Sequence, residues 1–158
     1  MGAPYDDLRP KYFALPRPVG NNSEPSHPGE IWGAFIELAY PAATVLSVAF
    51  TDGTVSILRS TGGGFFGGGD ERIQAARKSF LEATAAARAT YANDERHDPP
   101  STGRAAFFAR TDVETLRYED SLEAINATTH PYHGLYLSGL RILHEYLQLQ
   151  KRTSAANT

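Results

Sequence analysis

Thr44 to Ser60 reads TVLSVAFTDGTVSILRS, two runs of β-branched and apolar residues on either side of Asp52-Gly53. An Asp-Gly pair tolerates the positive φ angles that a type I′ turn imposes on its two central residues, so the stretch predicts an antiparallel hairpin. With Thr51 opposite Thr54, Phe50 faces Val55, Val48 faces Ile57 and Ala49 faces Ser56. That register gives the hairpin one plainly apolar face, directed at a core.

Upstream, Ile31 to Tyr40 (IWGAFIELAY) fits two periods. Ile31, Phe35, Leu38 and Ala39 suit a helix, while Trp32, Ala34, Ile36, Leu38 and Tyr40 alternate as in a strand. Gly33 in the interior, the aromatic and β-branched content, and Pro41 opening a turn point to a strand. Downstream, Asp70 to Tyr91 predicts a helix with Asp70 as N-cap and Ile73, Ala76, Phe80, Thr84, Ala87 and Tyr91 on one stripe. Asn93 to Gly103, which holds Pro99-Pro100, makes a polar connection. Arg104 to Arg110 and Val113 to Tyr118 read as a second hairpin around Thr111-Asp112. Glu119 to Asn126 suits a short helical turn. Pro131 to Gln150 suits a helix, with Leu135, Gly139, Leu140, Leu143 and Leu147 at helical spacing. The order β-β-β-α-β-β-α predicts an α+β fold, an antiparallel sheet of about five strands with two long helices packed on it.

The chain has 158 residues, the length of one ordinary domain. Six of its ten prolines (Pro4, Pro10, Pro16, Pro18, Pro25, Pro28) fall near the start. Residues 1–29 are therefore expected as a Pro-rich arm, 30–152 as the domain and 153–158 as a polar tail. There is no cysteine, which removes thiol catalysis, thiolate metal sites and redox switching. No apolar leader opens the chain and no run approaches the roughly 20 apolar residues of a membrane helix, so a cytoplasmic location is expected. A net charge of −3 offers neither a nucleic-acid backbone nor an anionic membrane a broad basic face.

The most unusual segment is Gly62-Gly63-Gly64-Phe65-Phe66-Gly67-Gly68-Gly69, between the third strand and the first long helix. Such loops can present backbone N–H groups to phosphate, and Arg59 or Arg72 could add charge. No Lys-Ser or Lys-Thr follows, however, and Asp70-Glu71 place carboxylates where the anion would sit. Two other readings stand beside it. The glycines could serve a tight positive-φ path with Phe65 and Phe66 tucked onto the core, or the two phenylalanines could form an exposed anchor for a protein partner.

The histidines give no metal pattern. His130 precedes Pro131 and so lies outside the helix, while His133 and His144 share a face but stand about 16 Å apart along it at about 1.5 Å per residue, although Glu119, Asp120 and Glu123 are near His130 and His133 in sequence. His144-Glu145-Tyr146-Leu147-Gln148 has Gln148 where the zinc-protease helix needs its second histidine. No G-x-S-x-G elbow is present. Asp112 and Glu114 would share a strand face but read as solvated hairpin carboxylates. No catalytic residue, metal or cofactor is expected.

Trp32-Gly33 with Glu37 and Tyr40-Pro41, Asp52-Gly53-Thr54 with Ser56, the Gly62 to Gly69 run before a helix, and His130-Pro131 together resemble the motifs of a family of small bacterial proteins of unassigned function. Phe65-Phe66 stand where that family's pattern has smaller aliphatic residues. The resemblance implies a bacterial, intracellular domain and a strand over Trp32 to Tyr40, and it supplies no catalytic residue. A looser architectural likeness, to dimeric roadblock-type and profilin-like domains, would be strengthened by a helix over Ile31 to Tyr40, where the sequence reads as a strand. The expected function is a non-enzymatic interaction or regulatory module, with an unknown protein or a second copy as partner. The alternative is a small-molecule or nucleotide-binding domain using the Gly62 to Gly69 loop.

Overall fold

The computed structural model describes residues 4–17, 29–67 and 69–156. Seven strands form one antiparallel sheet: β1 (Gly33–Ala39), β2 (Thr44–Phe50), β3 (Val55–Arg59), β4 (Gly64–Gly67), β5 (Ala92–Asn93), β6 (Arg104–Arg110) and β7 (Thr115–Ser121). Their spatial order is β4-β3-β2-β1-β6-β7-β5. The α+β class and the antiparallel sheet agree with the sequence reading, but the strand count rises from about five to seven. Both additions lie where pattern is silent: β4 is half glycine, and β5 is too short to show a period. Ile31 to Tyr40 contains the expected strand, so the helix that would have strengthened the roadblock-like likeness is not there.

The first hairpin is offset by one residue from its expected register. Its turn holds three residues, Thr51, Asp52 and Gly53: the Phe50 N–H donates to the Thr54 carbonyl at 3.0 Å, and Asp52 Oδ1 accepts from the Thr54 N–H at 2.8 Å. Gly53 takes the positive φ of 103°. Ala49 therefore pairs with Val55, Val48 with Ser56 and Ser47 with Ile57. A one-residue slip moves a whole strand's side chains to the other face. Phe50 and Val48 thus point away from Val55 and Ile57, and both faces of the sheet are apolar.

Two apolar faces need two covers. On one, Ile36, Val55, Ile57 and Phe107 pack against α2 (Glu71–Ala86) and α4 (His133–Ala156) through Ile73, Phe80, Ile142 and Tyr146. Asp70 caps α2 as expected, accepting the Arg72 and Ile73 N–H groups. On the other face, Phe35, Leu46, Val48, Phe50 and Phe108 are covered by α1 (Pro4–Ala14). Residues 4–14, assigned from sequence to a Pro-rich arm, thus form a helix that closes a second core with Tyr5 and Phe13. Tyr5, Arg9 and Phe13 recur every four residues along it and are all buried. At the other terminus, α4 continues to Ala156, into the expected polar tail. The short helical turn near Glu119 is α3 (Leu122–Ile125), capped by Ser121.

Candidate functional site

The glycine-rich run is a turn followed by an edge strand. Gly62 and Gly63 have φ of 103° and 79°, left-handed values that glycine adopts without steric cost. The Gly62 N–H donates to the Arg59 carbonyl at 3.0 Å, closing the turn. At Gly64 a side chain would place its Cβ 2.7 Å from the Ile57 carbonyl oxygen, so β4 lies against β3 only because this residue has none. Gly68 falls outside the described residues.

The pleat of β4 separates the two phenylalanines. Phe65 is half-buried on the face of α2 and α4, with its ring 4.9 Å from that of Tyr146. Phe66 points to the opposite face and keeps 58 % of its surface exposed. Neither a joint aromatic tip nor a jointly tucked pair describes them.

Arg59 and Arg72 are not brought together. Arg59 is half-buried at the end of β3, beside Gly63, and its Nε is buried without a hydrogen-bond partner. Arg72 is exposed in the first turn of α2, which adjoins the opposite end of β3, since Gln74 Nε2 donates to the Gly53 carbonyl at 2.7 Å. The amides at the start of α2 already have an anion: Asp70 Oδ1 accepts from Arg72 N at 3.0 Å and Ile73 N at 3.1 Å, and Arg152 Nη2 neutralises Oδ2 at 3.1 Å.

β4 leaves one side of the sheet open, for no strand pairs with its outer edge among the described residues. The Arg59 N–H bonds the Gly63 carbonyl at 3.4 Å, so by antiparallel alternation Phe65 bonds inward to β3 while the N–H and C=O groups of Gly64 and Phe66 point outward. A recess lies beside this edge on each face. One, of 430 Å³, is bounded by Tyr12, Leu15, Phe50, Ser56 and Phe66. The other, of 340 Å³, is bounded by Phe65, Tyr146, Leu149 and Thr153. The opposite edge differs: β5 has two residues, and charges surround it at Asp94, Arg96 and Arg117.

Several other polar clusters satisfy themselves. His130 Nδ1 accepts the Tyr132 N–H at 3.0 Å, which leaves Nε2 to donate to Asp120 Oδ2 at 2.8 Å. With both ring nitrogens engaged, His130 has no free position for a substrate proton. Burial pushes the Asp120 carboxyl up, but the bonds from His130, the Ser121 N–H and Tyr118 outweigh it and hold it below the usual range. His133 bonds the Ile125 carbonyl through Nδ1 at 2.9 Å. Asp112 pairs with Arg17 and Glu114 with Arg88. Near β5, Asp94 pairs with Arg96 at 2.9 Å, which lowers its carboxyl to about 2, and Glu119 takes both Arg104 and Arg117. Among the described residues no group of three or more His, Cys, Asp or Glu side chains could hold a metal ion. None of their helices is long and apolar enough to cross a membrane.

Sequence reasoning passed over one buried cluster, Tyr5, Arg9 and Glu37. Its single sequence signal is a carboxylate at Glu37 inside an otherwise apolar strand, a residue that burial permits only with a partner. In comparisons with protein-family models, curated proteins and solved structures, nothing matches this chain.

Proposed function

We propose that this protein is a non-enzymatic interaction module, bacterial and cytoplasmic, that binds a protein partner along the outer edge of β4. The observation that carries this reading is the edge itself: outward backbone groups at Gly64 and Phe66, an exposed aromatic at Phe66, and an apolar recess on each face. Strand addition uses such features, with backbone hydrogen bonds supplying affinity and alternate side chains entering recesses on the two faces. Native sheets commonly protect an edge with charge, proline or a covering element; β4 itself holds neither charge nor proline, and among the described residues no strand pairs with its outer edge. The likeness in motifs to small bacterial proteins of unassigned function agrees with the proposed setting.

The test replaces Phe66 with a photo-cross-linking residue in cells and compares it with the same replacement at exposed Arg72. A discrete protein adduct specific to position 66 is expected. Equal or absent labelling at the two positions would remove the reading.

A second reading, a small anionic ligand at the Gly62-Gly63 turn, has one observation in its favour: the buried Arg59 Nε without a partner beside two left-handed glycines. A panel of phosphate, nucleotides and phosphorylated metabolites should then raise the melting temperature, because a ligand that binds only the native state stabilises it. No shift across the panel excludes it.

A further inference from the structure

The geometry points to a second copy of this chain as the occupant of the β4 edge, pairing β4 with β4 antiparallel about a two-fold axis perpendicular to the sheet. This inference rests on the interaction reading above and specifies its partner.

β4 offers what its own edge accepts. A strand added to the edge sends alternate side chains to opposite faces, and the edge has one apolar recess on each face. The central residues of β4 are two consecutive phenylalanines, one on each face. A two-fold axis perpendicular to the sheet keeps each face continuous across the junction. Phe65 of the second copy therefore arrives on the side of Phe65 and Tyr146, and Phe66 on the side of Phe50 and Tyr12.

The pleat restricts the register. Residues opposite each other in an antiparallel pair share a face, so Phe65 cannot stand opposite Phe66 of the second copy. Placing the axis at Phe65 sets Gly64 opposite Phe66 of the second copy, and Phe66 opposite its Gly64. These are the residues whose backbone groups point outward, and the two pairs close four N–H···O=C bonds. Each Phe66 ring then lies over a glycine that has no side chain, an arrangement known to stabilise strand glycines. At the axis the two Phe65 side chains meet as a non-hydrogen-bonded pair, the closer of the two cross-strand spacings.

The two charged residues that line the recess on the Phe66 face, Arg17 and Asp52, are of opposite sign. No side chain of β4 is ionisable, so the two-fold brings no like charges together along the strand. The small number of backbone bonds makes the association reversible, and the result is one sheet running through both copies.

The test is sedimentation velocity on the full chain from about 1 μM to about 1 mM, with wild type, Phe66→Lys, Phe66→Ser and Val113→Lys. Val113 is 69 % exposed in the turn between β6 and β7, remote from β4, and serves as the control. Wild type and Val113→Lys should form the same reversible dimer. Both Phe66 variants, checked for fold by circular dichroism, should raise its Kd at least about tenfold, as loss of an aromatic anchor does. A wild type that remains monomeric at the highest concentration, or a dimer insensitive to both Phe66 variants, overturns the inference. If the wild type is monomeric yet cross-linking from position 66 traps another protein, only self-pairing falls. A monomer that also yields no adduct removes the interaction reading as well.

Discussion

Arg9 of α1 and Glu37 of β1 are joined by two hydrogen bonds of 2.7 Å each, Nε to Oε2 and Nη2 to Oε1. The Tyr5 hydroxyl adds a third to Oε2 at 2.5 Å, and the Glu37 side chain has no exposed surface. A carboxylate held this deeply must be paired, and the paired geometry fixes where α1 sits over the sheet. Burial, then the charge of Glu37, pushes the Tyr5 phenol up, so it stays a donor at any ordinary pH.

Removing the cation should cost more than removing the hydroxyl. Arg9→Ala leaves Glu37 buried and unpaired and should lower stability by about 3–5 kcal/mol. Tyr5→Phe should cost about 1–3 kcal/mol. Exchanging the pair together, Arg9→Met with Glu37→Leu, should recover most of the Arg9→Ala loss. Urea unfolding of the four proteins gives these differences directly.

Gly139 of α4 packs tightly against Ile36 of β1 and Phe80 of α2. A Cβ there would lie 2.8 Å from Ile36 Cδ1 and 3.2 Å from Phe80 Cε1. Gly139→Val should therefore cost about 1–3 kcal/mol through overpacking. Gly134, near the start of the same helix, has open space around it, and Gly134→Ala should gain up to about 1 kcal/mol from helix propensity. Thermal unfolding of the two variants should move in opposite directions.

Gly64→Ala should loosen β4 while the rest of the sheet stays intact, because its methyl group would meet the Ile57 backbone oxygen. Hydrogen exchange reads this locally: the Phe65 amide should lose protection while those of β1 and β6 keep theirs. Gly69→Ala, with nothing within reach of its Cβ, is the neutral comparison.

His97 should make stability fall on mild acidification. Its ring stacks on Phe13 of α1 at 4.6 Å, and its Nε2 is buried without a partner. Burial first, then the charges of Arg110 and Arg9, hold its pKa below the ordinary 6.5, with Glu95 opposing and Arg117 assisting. The unfolded chain thus binds the proton more readily, so stability declines as pH drops through 6.5 and the loss is complete below the folded value. Asp120, whose folded value is also depressed, adds its own loss only below its ordinary 3.8. Urea midpoints between about pH 7 and pH 5 should slope downward for wild type and flatten for His97→Leu.

Much of the fold was legible because the residues agree at two levels. Asp70 caps α2 and the stripe from Ile73 to Thr84 packs where its period indicates. The strand over Ile31 to Tyr40, whose pattern fits two periods, is marked by Gly33, its aromatic and β-branched content and Pro41. The turn length was not legible, since Asp52-Gly53 serves a two-residue and a three-residue hairpin equally well, and that single residue decides which face Phe50 and Val48 occupy. α1 was hidden by Pro4 and Pro10, which read as breakers, and by Arg9, which reads as a solvated charge until Glu37 is seen opposite. At the candidate site, the glycines concealed a strand. Once β4 is known, the separation of Phe65 from Phe66 follows from the pleat.

β1 acquires its two neighbours at different times. β2 follows it within a short turn, whereas β6 is synthesised only after the whole of α2. A nascent chain leaving the ribosome can therefore close the half-sheet from β4 to β1 while the far side of β1 still lacks Phe107 and Phe108. Contacts between segments so distant along the chain carry the entropic cost that slows folding. The arrival of β6 on β1 is therefore the step expected to set the folding rate, and a chain paused before it would expose an apolar strand that a chaperone would have reason to shield.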